Sequence, residues 1–466
     1  MKVRRLLLVN PWIADFAAFD LWAKPLGLLY VGKFLKKYGY EIDLIDLLDR
    51  ARWGEKKNSK SSNGKGKYRK TIITKPPLLS WVPRRYGLYG ATKNQFLEAL
   101  SNAEIPDAIL VTSHMTYWYP GIQETVKVLR NVYPEKPIIL GGIHVTFYTE
   151  HANKVISPDY LITGYGEKKT LFLLDSLFKI PRDYYDIPDF DDGGILPWEL
   201  YPELEAVPVM TSRGCPYRCT YCATRLLHPY FVQRDPEDVI KEIVKVHDRF
   251  GVKNFAFYDD ALFVNRDRHI IPILEGIIDT EIKVNFHTPN GLFTKEINKH
   301  LAELMKRAGF KTIRLSLESI IPEWQKASSG KVSMENFLTA MKNLEAAGFN
   351  RSDIEVYLII GLPRQTYNHV KESLKFVAGA EAISRLASFS PIPGTVEWKR
   401  AKEMGYVYDD MDPLLTNNTL YPCRNKDFPV EKFVELRQIS NQLNEEVKSE
   451  PSTPARAGYD GQESET

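Results

Sequence analysis

Three of the chain's four cysteines fall within eight residues, in TSRGCPYRCTYCATR: Cys215, Cys219 and Cys222, spaced CxxxCxxC. Thiols this crowded, in 466 residues with one further cysteine, do not staple a fold; they point to metal or redox chemistry. Buried structural cysteines are spread through apolar sequence. Here Arg213, Arg218, Thr220 and Arg225 make a polar, positive neighbourhood that favours thiolate. A structural zinc site takes four ligands, commonly as two pairs; the second pair is missing, which leaves His228 as the nearby fourth candidate. A redox dithiol needs only CxxC and leaves Cys215 unexplained. An iron–sulfur cluster on three thiolates accounts for the count, and leaves one iron open to a substrate or cofactor.

The loop that carries these thiols follows an apolar run, AVPVMTS from Ala206, which opens a series of alternating strand-like and amphipathic segments. KNFAFYD, KVNFHT, KTIRLSL, DIEVYLII and SRLASFS continue it, with helical stretches such as PEDVIKEIVKVHDRF between them. Such alternation predicts βα units on a parallel sheet, and six of them make most of a (β/α) barrel. Barrel enzymes place their chemistry on loops at the C-terminal ends of the strands, where the cysteines lie. An earlier series, VRRLLLV, YEIDLID, DAILVTS, PIILGG and DYLIT, predicts five strands of a flavodoxin-like, doubly wound domain over residues 1–180. Residues 181–205, rich in Asp, Pro and Tyr, read as a linker, 206–400 as the barrel and 401–450 as a helical extension. The polar end, 451–466, and a Lys/Ser/Gly-rich insert at about 52–72 read as segments too polar to bury themselves.

A hydrophobic fraction of 44% and a charged fraction of 26% are those of ordinary globular protein, and a net charge of +3 gives no electrostatic case for nucleic acid. The N-terminal apolar run, Leu6–Val9, is too short for a secretory signal, and no stretch reaches the ~18 residues of a membrane span. A cytoplasmic protein is the expectation.

CPYRCTYC, with Tyr221 before the last cysteine, resembles the signature of the radical S-adenosylmethionine superfamily. FYDDALF, LSLES, IIGLPRQT and PIPGT resemble, in order, further motifs of its cobalamin-binding-domain branch, so that the resemblance spans roughly residues 206–396. It implies a 4Fe-4S cluster on Cys215, Cys219 and Cys222, whose open iron chelates S-adenosylmethionine. One electron, from an external donor such as flavodoxin or ferredoxin, then yields a 5′-deoxyadenosyl radical. Tyr221 is implied near the adenine, Asp259 and Asp260 as acceptors for the methionine ammonium, and Glu318 and Ser316 at the nucleoside. Gly361 is implied where the backbone approaches the ligand. Each has a plainer reading: packing for Tyr221, a helix cap for one Asp, turn geometry for the glycine. His287 and Asn290 also end a strand, where a satisfied loop histidine is as good a reading, and Cys423 reads as a lone buried thiol.

In the first domain, KPLGLLYVGKFLKKYGYEIDLID, GGIH and GYGE resemble the cobalamin-binding domain of the same branch. The resemblance implies cobalamin against Ser113, Met115, Gly141, Gly142, His144, Gly164, Gly166 and Glu167. Where histidine-ligating domains carry DxHxxG, this chain has VNPWIADF, so the expectation is a corrin held without a protein histidine on cobalt. The implied activity is methylation of an unreactive carbon in a small-molecule or peptide substrate. S-adenosylmethionine would act both as radical source and as methyl donor to cobalt. The alternatives are a radical rearrangement or cyclisation, and a non-enzymatic, metal-stabilised binding module.

Overall fold

The computed structural model describes residues 3–54, 63–190 and 194–449. The first five apolar runs form one parallel sheet: β1 (Arg5–Asn10), β2 (Glu41–Asp46), β3 (Ala108–Val111), β4 (Ile138–Gly141) and β5 (Tyr160–Ile162), in the spatial order β5-β4-β3-β1-β2. The central runs are apolar throughout because helices cover both faces; Leu6–Val9 and Ala108–Val111 are all buried. Helices α1 (Leu26–Lys37), α2 (Lys93–Asn102), α3 (Tyr119–Val132) and α4 (Glu167–Phe178) complete the domain. Strand order reverses between β1 and β3, which opens a crevice at their C-terminal ends, the place where doubly wound sheets take ligands.

The second series forms an open barrel whose six main strands are parallel and in sequential order: β6 (Val207–Val209), β7 (Asn254–Phe257), β8 (Asn285–His287), β9 (Phe310–Glu318), β10 (Ile354–Ile360) and β11 (Ile383–Ser388), with a seventh, two-residue strand, Leu292–Phe293, paired to β9. Its helices are written plainly in the sequence. α5 (Pro236–Phe250) starts where Asp235 accepts the Glu237 N–H and Pro236 fits the first turn. It buries Val239, Ile243 and Val246 on one face and stops at Gly251, whose φ of +67° suits a C-terminal cap. Phe255, Phe257, Phe286, Ile313 and Leu315 point outward into the core beneath such helices. The other face is polar and self-paired: His287 lies 3.0 Å from Thr312 Oγ1 and 3.2 Å from Asn254 Oδ1, and Arg314 donates to Glu355 at 2.6 Å and to Tyr357 at 2.9 Å.

Two segments are more ordered than their composition suggests. Within the basic insert, Gly66–Lys67 pairs with Phe19–Asp20, and Lys70–Ile72 pairs with Gly87–Tyr89, which also pairs with Ile13–Asp15. Edge pairing uses backbone groups alone, so exposed Lys-rich sequence can join it without an apolar face. Residues 55–62 of the insert and the 451–466 tail lie outside the described residues. The segment read as a linker is anchored: Trp198 is fully buried, and Tyr201 donates its phenol to Asp46 at 2.8 Å.

The domains are clasped at two places. From the β1–α1 connection, Trp22 enters the barrel and stacks on His287, ring centroids 4.4 Å apart, while Tyr258 donates to Leu21 O at 2.6 Å. From the other end of the chain, residues 412–420 run back over the first domain. Leu414 and Leu420 join its core, Asn417 donates to Asp15 at 2.9 Å, and Asp412 accepts from Tyr119 at 3.1 Å. The remaining helix of the extension is Val430–Ser449.

Candidate active site

The thiol loop leaves β6 at the C-terminal mouth of the barrel and is pinned from two sides. Thr220 N–H donates to Ala327 O at 2.9 Å, Arg218 N–H to Ser329 Oγ at 2.9 Å, and Tyr221 Oη lies 3.3 Å from Ser328 Oγ. On the opposite side the fully buried Glu397 takes the Thr220 hydroxyl at 2.6 Å and returns its own N–H to Thr220 O at 3.1 Å. All three thiols are free, and Cys222 is exposed.

Glu318 and Lys331 stand beside them. Glu318 ends β9 at a register shift, with a left-handed φ of +65°, a strained conformation of the kind that collects at functional sites. Its carboxylate pairs with Lys331 Nζ at 3.3 Å, both side chains about nine-tenths buried. Burial works against the Lys331 charge, but Glu318 and the Cys219 thiol hold its titration above the ordinary lysine range. Sequence reasoning missed Lys331: in SSGKVSM a lone lysine looks like surface, and only the fold brings it back to the cysteines.

The positive neighbourhood expected around the thiols is smaller than the arginine count suggested. Arg213 turns away to Glu167, and burial pushes Cys215 up to about 12, with Asp260 adding to the shift. Burial also raises Cys219, against Lys331, which lowers it. These thiols are protonated until a metal displaces the protons.

The two aspartates after β7 part company. Asp259 is buried and consumed: it accepts from Thr211 N at 3.0 Å, Thr211 Oγ1 at 2.8 Å and Ser212 Oγ at 2.6 Å, which locks β6 to β7. It is not an open acceptor for an ammonium. Asp260 faces out beside the thiols; desolvation and Asp259 push it up to about 6, against Thr224. In Asp260→Asn apoprotein, Cys215 is expected to alkylate severalfold faster with iodoacetamide at pH 8. The gain should vanish below pH 6, where Asp260 is already neutral; mass-mapped labelling rates check this.

Ser316 lies buried on the barrel's inner face. Gly361, with φ +93°, gives its N–H to Gln365 and turns its open side to Phe433, 3.1 Å from where a Cβ would stand, so it serves helix packing. Asn290 is spent on the carbonyls of Tyr258 and Asp259, and Cys423 sits in a core with Trp324, Phe389 and Trp398.

In the first domain, a cleft of about 670 Å³ including its open mouth lies at the sheet's C-terminal edge. Gly141, Gly142, Gly164, Gly166 and Glu167 line it, with α1 residues on one side and Arg213 and His228 of the barrel domain closing it. Two of the glycines are required by the backbone. Gly142 has φ +98°, and a Cβ there would meet Ser113 O at 2.4 Å; Gly164 has φ +68°. Gly142→Ala is therefore expected to cost about 1–3 kcal/mol of stability, read as a lower denaturant midpoint. Ser113 does not face the cleft freely: its hydroxyl donates to Gly141 O at 2.7 Å and accepts the His144 N–H at 3.1 Å. Met115 is exposed at the edge. His144 departs from the expectation: a short helix, Ile143–Phe147, turns its ring inward, fully buried between Tyr119 and Tyr148 and away from the cleft.

The description "Radical SAM superfamily" matches residues 209–377, and "B12 binding domain" matches residues 88–171. With the fold and the three-thiol loop, these matches show that the chain carries a radical SAM domain preceded by a B12-binding domain. It is 26% identical over 332 residues to an "Uncharacterized methyltransferase PH0819" of Pyrococcus horikoshii, covering 64% of this chain and 69% of that one. It is 25% identical over 389 residues to the anaerobic magnesium-protoporphyrin IX monomethyl ester cyclase of Cereibacter sphaeroides, covering 72% of this chain but only 61% of the relative. Among solved structures, the radical S-adenosylmethionine methyltransferase TsrM of Kitasatospora setae, with cobalamin and a [4Fe-4S] cluster bound, shares the fold at TM-score 0.62. The identity is 16%, over 87% of this chain and 79% of that one.

The cofactors of these two domains are a 4Fe-4S cluster with S-adenosylmethionine in the barrel, and cobalamin in the first domain. The residues present fit them: three thiols on one pinned loop beside a paired carboxylate and ammonium, and a cleft at the sheet's C-terminal edge lined by Gly141, Gly142, Gly164 and Gly166. Radical SAM enzymes draw their electron from an external donor. No helix among the described residues is long and apolar enough to cross a membrane.

Proposed function

We propose that the chain is a cobalamin-dependent radical methyltransferase acting on an unreactive carbon, in the cytoplasm, with flavodoxin or ferredoxin as electron donor. The observation that carries this reading is the seam between the two sites. Arg213, two residues before Cys215, reaches out of the thiol loop to pair with Glu167 in the wall of the glycine cleft, at 2.8 Å. With the two clasps between the domains, this ion pair ties the thiol loop to the wall of the cleft, so a substrate in the seam would lie next to both. Ligand sites favour such domain seams. When bound, the cluster and S-adenosylmethionine supply the carbon radical, and cobalamin the methyl group. Cys215, Cys219 and Cys222 hold the cluster; Glu318 and Asp260 are the acceptors open to the amino and hydroxyl groups of S-adenosylmethionine. Lys331 pairs with Glu318, and Glu397 holds the loop still.

The cyclase among the relatives favours a second reading, a radical cyclisation without methyl transfer. Anaerobic turnover with dithionite and both cofactors separates the two. Methylation yields 5′-deoxyadenosine together with S-adenosylhomocysteine; cyclisation yields the first without the second. Absence of both products from a fully loaded chain would refute radical chemistry here.

A further inference from the structure

The segment that ends the short helix Pro322–Ala327 does two things at the mouth of the barrel. Its first residues pin the thiol loop, through Ala327 O, Ser328 Oγ and Ser329 Oγ. Two residues further on stands Lys331, itself buried. Its ammonium pairs with Glu318 at 3.3 Å and lies 4.9 Å from the centroid of the Phe293 ring. Phe293 in turn packs at right angles to Tyr217, which lies between Cys215 and Cys219, with centroids 4.9 Å apart. The ammonium is thus one ring away from the thiol loop, and its charge acts on both Cys219 and Cys222. At Cys219 it outweighs the opposing charge of Glu318. Burying such a pair seldom stabilises a fold more than apolar side chains of the same volume would, so packing alone does not call for a cation here.

We propose that Lys331 raises the reduction potential of the cluster held by Cys215, Cys219 and Cys222. The inference rests on the cluster reading of those three thiols. Reduction adds one electron, drawn from the external donor; no bond forms or breaks and no proton moves. The cluster with its thiolates is one charge more negative afterwards, and a buried cation beside it favours that state. Net charge and solvent exposure are the levers a protein has on such a potential. A unit charge about 10 Å away, at an effective dielectric of about 20, is worth about tenfold in an equilibrium. Lys331 acts here through its charge and touches no reacting atom. It lets a weaker reductant fill the cluster.

The test is a redox titration of the full chain with its cluster reconstituted and S-adenosylmethionine left out, read by the electron paramagnetic resonance of the reduced cluster. Lys331→Met is expected to lower the ratio of reduced to oxidised cluster at a given potential about tenfold, a shift of about 59 mV for one electron. Lys331→Arg keeps the charge and should titrate close to the unaltered chain. An unchanged or raised ratio in Lys331→Met would overturn the proposal. An equal fall in Lys331→Arg would do the same, by assigning the effect to packing. Where Lys331→Met assembles no cluster, Lys331→Met combined with Glu318→Gln carries the test, because it leaves no buried charge of the pair without its partner. Its ratio should still fall, since Lys331 outweighs Glu318 at Cys219, and a ratio that does not fall there overturns the proposal. An unaltered chain that assembles no cluster overturns the reading of the three thiols, and this inference with it.

Discussion

Cys219→Ala is expected to abolish reductive cleavage of S-adenosylmethionine and to leave protein without a stable iron–sulfur chromophore. Three protein ligands are the minimum this loop offers, and Cys219 is the middle one. Its neighbour Thr220 is the residue clamped by Ala327 and Glu397, so Cys219 sits where the loop is held from both sides. The remaining thiol, Cys423, is buried in a separate core and does not replace it. The change is a loss of ligation and not of fold, because Cys219 lies on a loop and the pinning is done by backbone groups and by Thr220. Iron and sulfide analysis should show the loss while circular dichroism and corrin uptake stay near those of the unaltered chain. Full iron content and cleavage in this variant would remove the three-thiol assignment.

Arg213→Met has the second largest expected effect, and it is on stability. Arg213 and Glu167 are both more than nine-tenths buried, and the guanidinium also lies over Tyr30 at 4.5 Å and Phe190 at 4.9 Å. Methionine keeps much of the volume but removes the charge that balances Glu167 in a low-dielectric seam. Breaking a buried pair from one side typically costs about 3–5 kcal/mol. Removing both charges together is far cheaper, so Arg213→Met combined with Glu167→Met should recover most of that loss in a denaturant melt. A single substitution no worse than the double would show that the pair carries no net energy.

Much of this was legible in the chain. The strands were, because runs such as Leu6–Val9 and Leu358–Ile360 are buried on both faces and can be little else. The three thiols were, because spacing alone sets them on one loop. What the sequence hid is which polar groups are already spent. Asp259 and Asp260 look equivalent in FYDD, but strand alternation sends one back to Thr211 and Ser212 and the other out to the thiols. The hint was available, since two hydroxyl residues end the neighbouring strand. His144 looked like the natural partner of GGIH, yet one helical turn carries it inside. The contact of Asn417 with Asp15, separated by 402 residues, had no local signal at all.

That last contact bears on the order in which the protein is made. The first domain owes Leu414 and Leu420 of its core to a segment that leaves the ribosome long after its own strands. At typical synthesis rates the delay is on the order of tens of seconds. During that time the face that Leu414 and Leu420 later cover stays exposed, and Asp15 lacks Asn417. A chain stalled before residue 412 lacks two side chains of that core, and its first domain is expected to melt at lower denaturant than in the full chain.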